Sequence, residues 1–256
     1  MSDSTANAAA NDAGNYATSS NVFVSNTRWV LAISLVGLLA WYGFTYPPKY
    51  WTVPDELADV GALSPKEDIA KLNAAMNANA WKNSLMKYGI AGSLIGLVGF
   101  FLLGKPGGTI GSGIVVLVAG VLFGLAAGAV GLVTRRYLDL EYPIPLISLE
   151  SRPLLCDMIL FSIVSILLVM PIFLWLILHR ESTVRMKAFS APLAGLLAGI
   201  VVPVVGAIVL PGNTNTSSFP FASVTLNLLW FVCLSVFVIL AFFGLKRKDP
   251  TALPIN

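Results

Sequence analysis

The sequence predicts an all-α fold: a polytopic membrane protein with six transmembrane helices. Three observations predict it. Apolar residues make up 56 % of the 256 and charged residues only 11 %, against about 25 % charged in ordinary soluble domains. Six apolar runs recur along the chain, with no Asp, Glu, Lys, Arg or His inside them. Basic residues gather instead at the ends of the runs, as membrane flanks do.

Residues 1–28 are mostly Ala, Asn, Ser, Thr and Gly without apolar periodicity, which predicts a disordered tail. No basic n-region opens the chain, and the first run comes too late for a signal peptide. The transmembrane domain therefore covers 29–248, with 249–256 a short tail. Its expected spans are 29–46, 88–103, 110–133, 158–178, 188–210 and 224–245. About twenty residues cross a ~30 Å hydrocarbon core. The run at 88–103 is short of that, so five spans plus a re-entrant segment is the alternative. Lys105, Pro106, Gly107 and Gly108 then predict a tight hairpin into the third span. Trp41, Tyr42, Tyr46 and Tyr88 fall at run ends, where amphipathic rings favour the interface. Trp230 lies inside the last run, where packing is its expected job.

Between the first two spans, residues 47–87 hold an extramembrane helix. Ser64-Pro65-Lys66-Glu67 has the form of a capping box with proline at the first helical position. Ile69, Leu72 and Met76 follow at helical spacing, and no proline or glycine intervenes before Tyr88. One helix is expected from Pro65 into the second span. The loop 134–157 carries Arg135, Arg136, Asp139, Glu141, Arg152 and Asp157 among prolines, and its Ile144, Leu146, Ile147 and Leu149 suggest that it lies on the membrane surface.

Basic residues divide equally, eight to each face, so local contrast sets the orientation. The short 180–187 and 246–248 segments hold three basic residues each, whereas 211–221 holds none. The positive-inside rule then places both termini in the cytoplasm, and the protein in the cell membrane. The net charge of +3 is too small and too scattered for a nucleic-acid face. Cys156 and Cys233 lie at different depths, so two free thiols are expected. With His179 as the only histidine, multi-histidine metal ligation within one chain is excluded. No cofactor is expected.

Glycine carries the most distinctive motif. Thirteen of the 22 glycines fall between residues 89 and 131. Gly92 and Gly96, then Gly120, Gly124 and Gly128, and again Gly195 and Gly199, recur four apart and so share a helix face. Such a zipper lets two backbones approach closely. It packs helices within one chain or, alternatively, joins a homo-oligomer or a membrane-protein partner. Pro171, Pro192 and Pro203 each remove a backbone donor and can kink a span. Asn227 lies near a span end, within reach of water. Arg135, Arg136 and Arg152, with Asp139 and Glu141, form a surface polar cluster that either is solvated flank or meets phosphate or lipid headgroups. His179, Arg180, Glu181 and Ser182 read as a helix-end cluster, since adjacency is not triad geometry.

The absence of charge within the spans argues against proton-coupled carriers and intramembrane proteases. The leading expectation is a non-catalytic scaffold, assembly factor or accessory subunit of a membrane complex. The alternatives are a small-solute permease or channel using the kinked spans 158–178 and 188–210, and an enzyme acting on lipid headgroups at the 134–157 loop.

Overall fold

The computed structural model describes residues 30–31, 33–46, 50–103, 110–139, 152–178, 188–209 and 223–245. Among them there is no strand. Six helices follow in order: α1 (Ile33–Thr45), α2 (Lys66–Leu103), α3 (Ile110–Asp139), α4 (Arg152–Leu178), α5 (Ser190–Val209) and α6 (Val224–Leu245). Four of these, α3 to α6, are long and apolar enough to cross a membrane, and α1 is a shorter apolar helix. The chain is a multi-pass helical membrane protein. The expectations for 1–28, the 105–108 turn, Glu141, the apolar residues 144–149, the 179–182 cluster and the tail at 246–256 lie outside the described residues.

α2 is a single helix of 38 residues, about 57 Å long at 1.5 Å per residue. It joins the polar stretch after Pro65 to the apolar stretch after Lys87 without a break. Its start differs from the expected capping box. The Ser64 hydroxyl accepts from the Gly61 N–H at 3.0 Å, and the helix opens with Asp68 and Ile69 donating to the Pro65 carbonyl. Ser64 thus closes the turn before the helix, and Pro65 supplies the first acceptor.

Apolar runs also understate the lengths of α3 and α4. α3 continues to Asp139, past the expected end at 133, and α4 begins at Arg152, before 158. Packed neighbours sustain a helix through charged turns that hydropathy alone would cut. The three prolines do not act alike. Pro171 and Pro203 lie inside α4 and α5, where each deprives a carbonyl of its donor. Pro192 falls in the first turn of α5, where N–H groups have no intrahelical partner anyway, so it breaks nothing.

Neighbouring helices pack in sequence order, α2 on α3, α3 on α4, α4 on α5 and α5 on α6, and α2 also reaches α4. α1 packs on α6, where Gly37 faces Ser235. One buried cluster centres on Phe44, Tyr88, Phe161 and Trp230; a second joins the far halves of α4, α5 and α6 around Val169, Ala194 and Leu234. Tyr88, expected at the interface, is instead fully buried. Cys156 and Cys233 are both free thiols.

Candidate functional site

The seven glycines singled out from sequence sit on two internal seams. A Cβ at Gly92 would strike the Gly120 carbonyl and lie 2.7 Å from Gly124 Cα. One at Gly96 would lie 2.9 Å from the Val116 carbonyl oxygen and 3.1 Å from Gly120 Cα. Gly124 meets the Tyr88 carbonyl, and Gly128 meets Ser84. Each step of four up α3 is matched by four down α2, so the pair is antiparallel in a fixed register. On the second seam, Gly195 faces Ser165 and Ile166 of α4, and Gly199 faces Phe161 and Ser162. Both seams are filled by helices of the same chain.

The described polar side chains concentrate at the end of the bundle where α1 and α3 finish and α4 and α6 begin. Phe44 of α1 is wedged there, with ring centroids 4.8 Å from Tyr88, 5.7 Å from Trp230 and 5.6 Å from Phe231. Phe161 meets Trp230 edge-on at 5.3 Å. The Trp230 indole N–H donates to Ser165 Oγ at 2.8 Å, so a buried donor is satisfied across helices. Ser84 Oγ donates to the Gly128 carbonyl at 2.9 Å, tying α2 to α3.

Charge lies against this aromatic core. Lys87 is 3 % exposed, with its ammonium 5.6 Å from the Phe44 ring centroid, within the range of a cation–π contact. Asp157, 5 % exposed, stands one turn before Phe161 and pairs with Arg135 at 3.6 Å. A largely buried ion pair adds little net stability, because desolvation offsets most of the attraction; it favours one arrangement of the two helices. Asn227, placed near water by sequence, is 1 % exposed and lies one turn before Trp230.

The chain matches no known protein-family model, no curated protein and no solved structure.

Of the expected polar cluster, Arg135 and Arg136 turn to different partners. Arg135 turns inward to Asp157. Arg136 turns to α2, donating to Asn77 Oδ1 at 2.9 Å, with its guanidinium carbon 5.9 Å from the centroid of the Trp81 ring. Asp139 closes α3 and Arg152 opens α4, and Glu141 lies outside the described residues. Among the described residues no group of three or more His, Cys, Asp or Glu is placed to hold a metal ion.

Sequence reasoning missed Lys87, Asn83 and Trp81. Asn83 clamps the segment that follows α1: its Oδ1 accepts from the N–H groups of Tyr50 and Trp51 at 2.7 and 3.0 Å, and its Nδ2 donates to the Trp51 carbonyl at 2.8 Å. Asn79 adds a bond to the Thr52 carbonyl. The Tyr50 hydroxyl donates back to Gly43 of α1, and partial burial pushes its pKa up. Asparagines that weaken helix propensity along α2 thus serve as strap anchors. Their spacing of four, which puts Asn79 and Asn83 on one face, is the signal that was present in the sequence.

Proposed function

We propose that the protein is a non-catalytic membrane scaffold, an assembly factor or accessory subunit of a larger complex, in the cell membrane with both termini cytoplasmic. One observation carries this reading: its described polar groups tie parts of its own chain together. Arg135 pairs with Asp157, Trp230 with Ser165, Ser84 with Gly128, and Asn83 with residues 50–51. Side chains used in this way hold one rigid body rather than meeting a substrate. A partner would dock on the outer apolar faces, since the glycine seams are already filled from within. The test is purification of the tagged full chain under mild detergent from its native host. A stoichiometric membrane-protein partner supports the reading, and a homogeneous lone chain at native expression level counts against it.

A second reading has its own support. The expectation against ion-coupled transport rested on spans free of charge, yet Lys87 and Asp157 are buried among the packed helices. Ionisable groups there are functional candidates in carriers. Pro171 and Pro203 inside α4 and α5 add freed carbonyls. Solute flux in proteoliposomes that is lost in both Lys87→Met and Asp157→Asn would favour a permease over a scaffold.

A further inference from the structure

We propose that Arg136, set over the Trp81 ring, is a binding site for the phosphate of an anionic lipid headgroup. The register of the first glycine seam places it. Gly120, Gly124 and Gly128 face α2, and two more steps of four reach Arg136 on the same side of α3. Down α2 the same steps from Ser84 reach the turn that holds Asn77 and Trp81, where the Arg136 contacts are found. Arg135, next in sequence, is rotated about 100° away and committed to Asp157.

This arginine is oriented as a receptor for an anion. A guanidinium has five N–H donors in a planar fork suited to phosphate oxygens. The Trp81 ring and the bond to Asn77 hold the guanidinium in place, and among the described residues Asn77 is the one hydrogen-bond acceptor found for it. Arg136 is exposed, so its other donors face outward.

Depth points to lipid as the source of the phosphate. The candidate membrane span of α3 runs Gly113–Leu138, so Arg136 stands in its last turn, the place where a basic flank meets the headgroup region. Val130 and Val133 on the turns before it are exposed apolar side chains, and Tyr137 beside it is 55 % exposed. An acyl chain can run along the two valines while its phosphate meets the guanidinium. Trp81 and Tyr137 are residue types that favour this depth. The site is independent of the scaffold and permease readings alike.

The test uses the purified full chain in a non-ionic detergent and native mass spectrometry titrations with phosphatidylglycerol, phosphatidylcholine and inorganic phosphate. Wild type is expected to retain phosphatidylglycerol in preference to phosphatidylcholine. Arg136→Gln should weaken phosphatidylglycerol binding about tenfold, the loss of one charge-assisted hydrogen bond. Arg136→Lys, which keeps the charge and the fold but loses the fork, should fall between. Lys71→Gln removes the same charge from the exposed part of α2 and should change nothing. Equal phosphatidylglycerol binding by wild type and Arg136→Lys, together with no loss in Arg136→Gln, overturns the site. An equal loss in Lys71→Gln also overturns it, because net charge would then explain binding. Full displacement of phosphatidylglycerol by inorganic phosphate at equal concentration overturns the lipid assignment.

Discussion

The seam between α2 and α3 and the wedge between α1 and α6 solve the same problem with opposite materials. The seam has almost no side chains: backbone meets backbone at Gly92, Gly96, Gly120 and Gly124. The wedge is built from the largest side chains in the protein, with Phe44 filling the space before Tyr88, Trp230 and Phe231. Lipid is as apolar as either contact, so neither gains much from leaving it. Both must be held by dispersion and by the few hydrogen bonds that cross them. A seam of backbone is intolerant of any added atom, because nothing in it can rotate away. A wedge of rings is sensitive to loss, because no smaller side chain fills its volume.

The comparison breaks most completely at Gly124. Leucine there would drive its Cβ into the Tyr88 carbonyl and to within 3.1 Å of Gly89 Cα. The cost exceeds the ~1–3 kcal/mol typical of overpacked cores, since the colliding atoms belong to a helix backbone. Size-exclusion chromatography of Gly124→Leu should show no monodisperse protein. On the wedge side, Trp230→Ala should lower stability by about 3–5 kcal/mol through cavity formation. Trp230→Phe, which keeps a ring but leaves Ser165 without its donor, should lose only about 1 kcal/mol. Thermal melting in detergent separates the two, and equal melting points would mean that Trp230 packs loosely.

Asn83→Ala tests a tie that belongs to neither region. It removes all three bonds to residues 50 and 51, at a cost of about 1–3 kcal/mol for the groups left unsatisfied. Amide exchange should accelerate at Tyr50 and Trp51 while α3 stays protected. The smallest effect is expected at Gly61, where no atom lies within 4 Å of a Cβ. Gly61→Leu should shift stability by no more than about 0.5 kcal/mol. A large loss there would show that leucine itself, and not the close backbone contact, explains the Gly124 result.

The sequence made the wide features legible and hid those that depend on a partner. Composition was enough for a helical membrane protein, and spacing of four was enough to mark Gly92, Gly96, Gly120 and Gly124. Helix ends escaped because hydropathy stops at the first charge, whereas α3 carries Arg135 and Arg136 on helical turns that neighbours hold in place. Tyr88 and Lys87 sit where an apolar run begins, and a run end looks like an interface until a first helix covers it. Arg136 was visible as a candidate, but Trp81 was not. Their meeting follows from the register between two helices, and register is set by which glycine faces which. Pro192 looked like Pro171 and Pro203 because a proline's effect depends on how far it stands from the helix start.

The shortness of the apolar half of α2 has a consequence for how the protein enters its membrane. Residues 88–103 number only sixteen and include four glycines, so alone they would partition weakly into lipid and leave much of the backbone thinly covered. The covering is supplied by α3, whose own glycines press against that same backbone. The apolar half of α2 is therefore better suited to lipid with α3 packed on it than alone. For this pair, partition into lipid and helix packing are coupled.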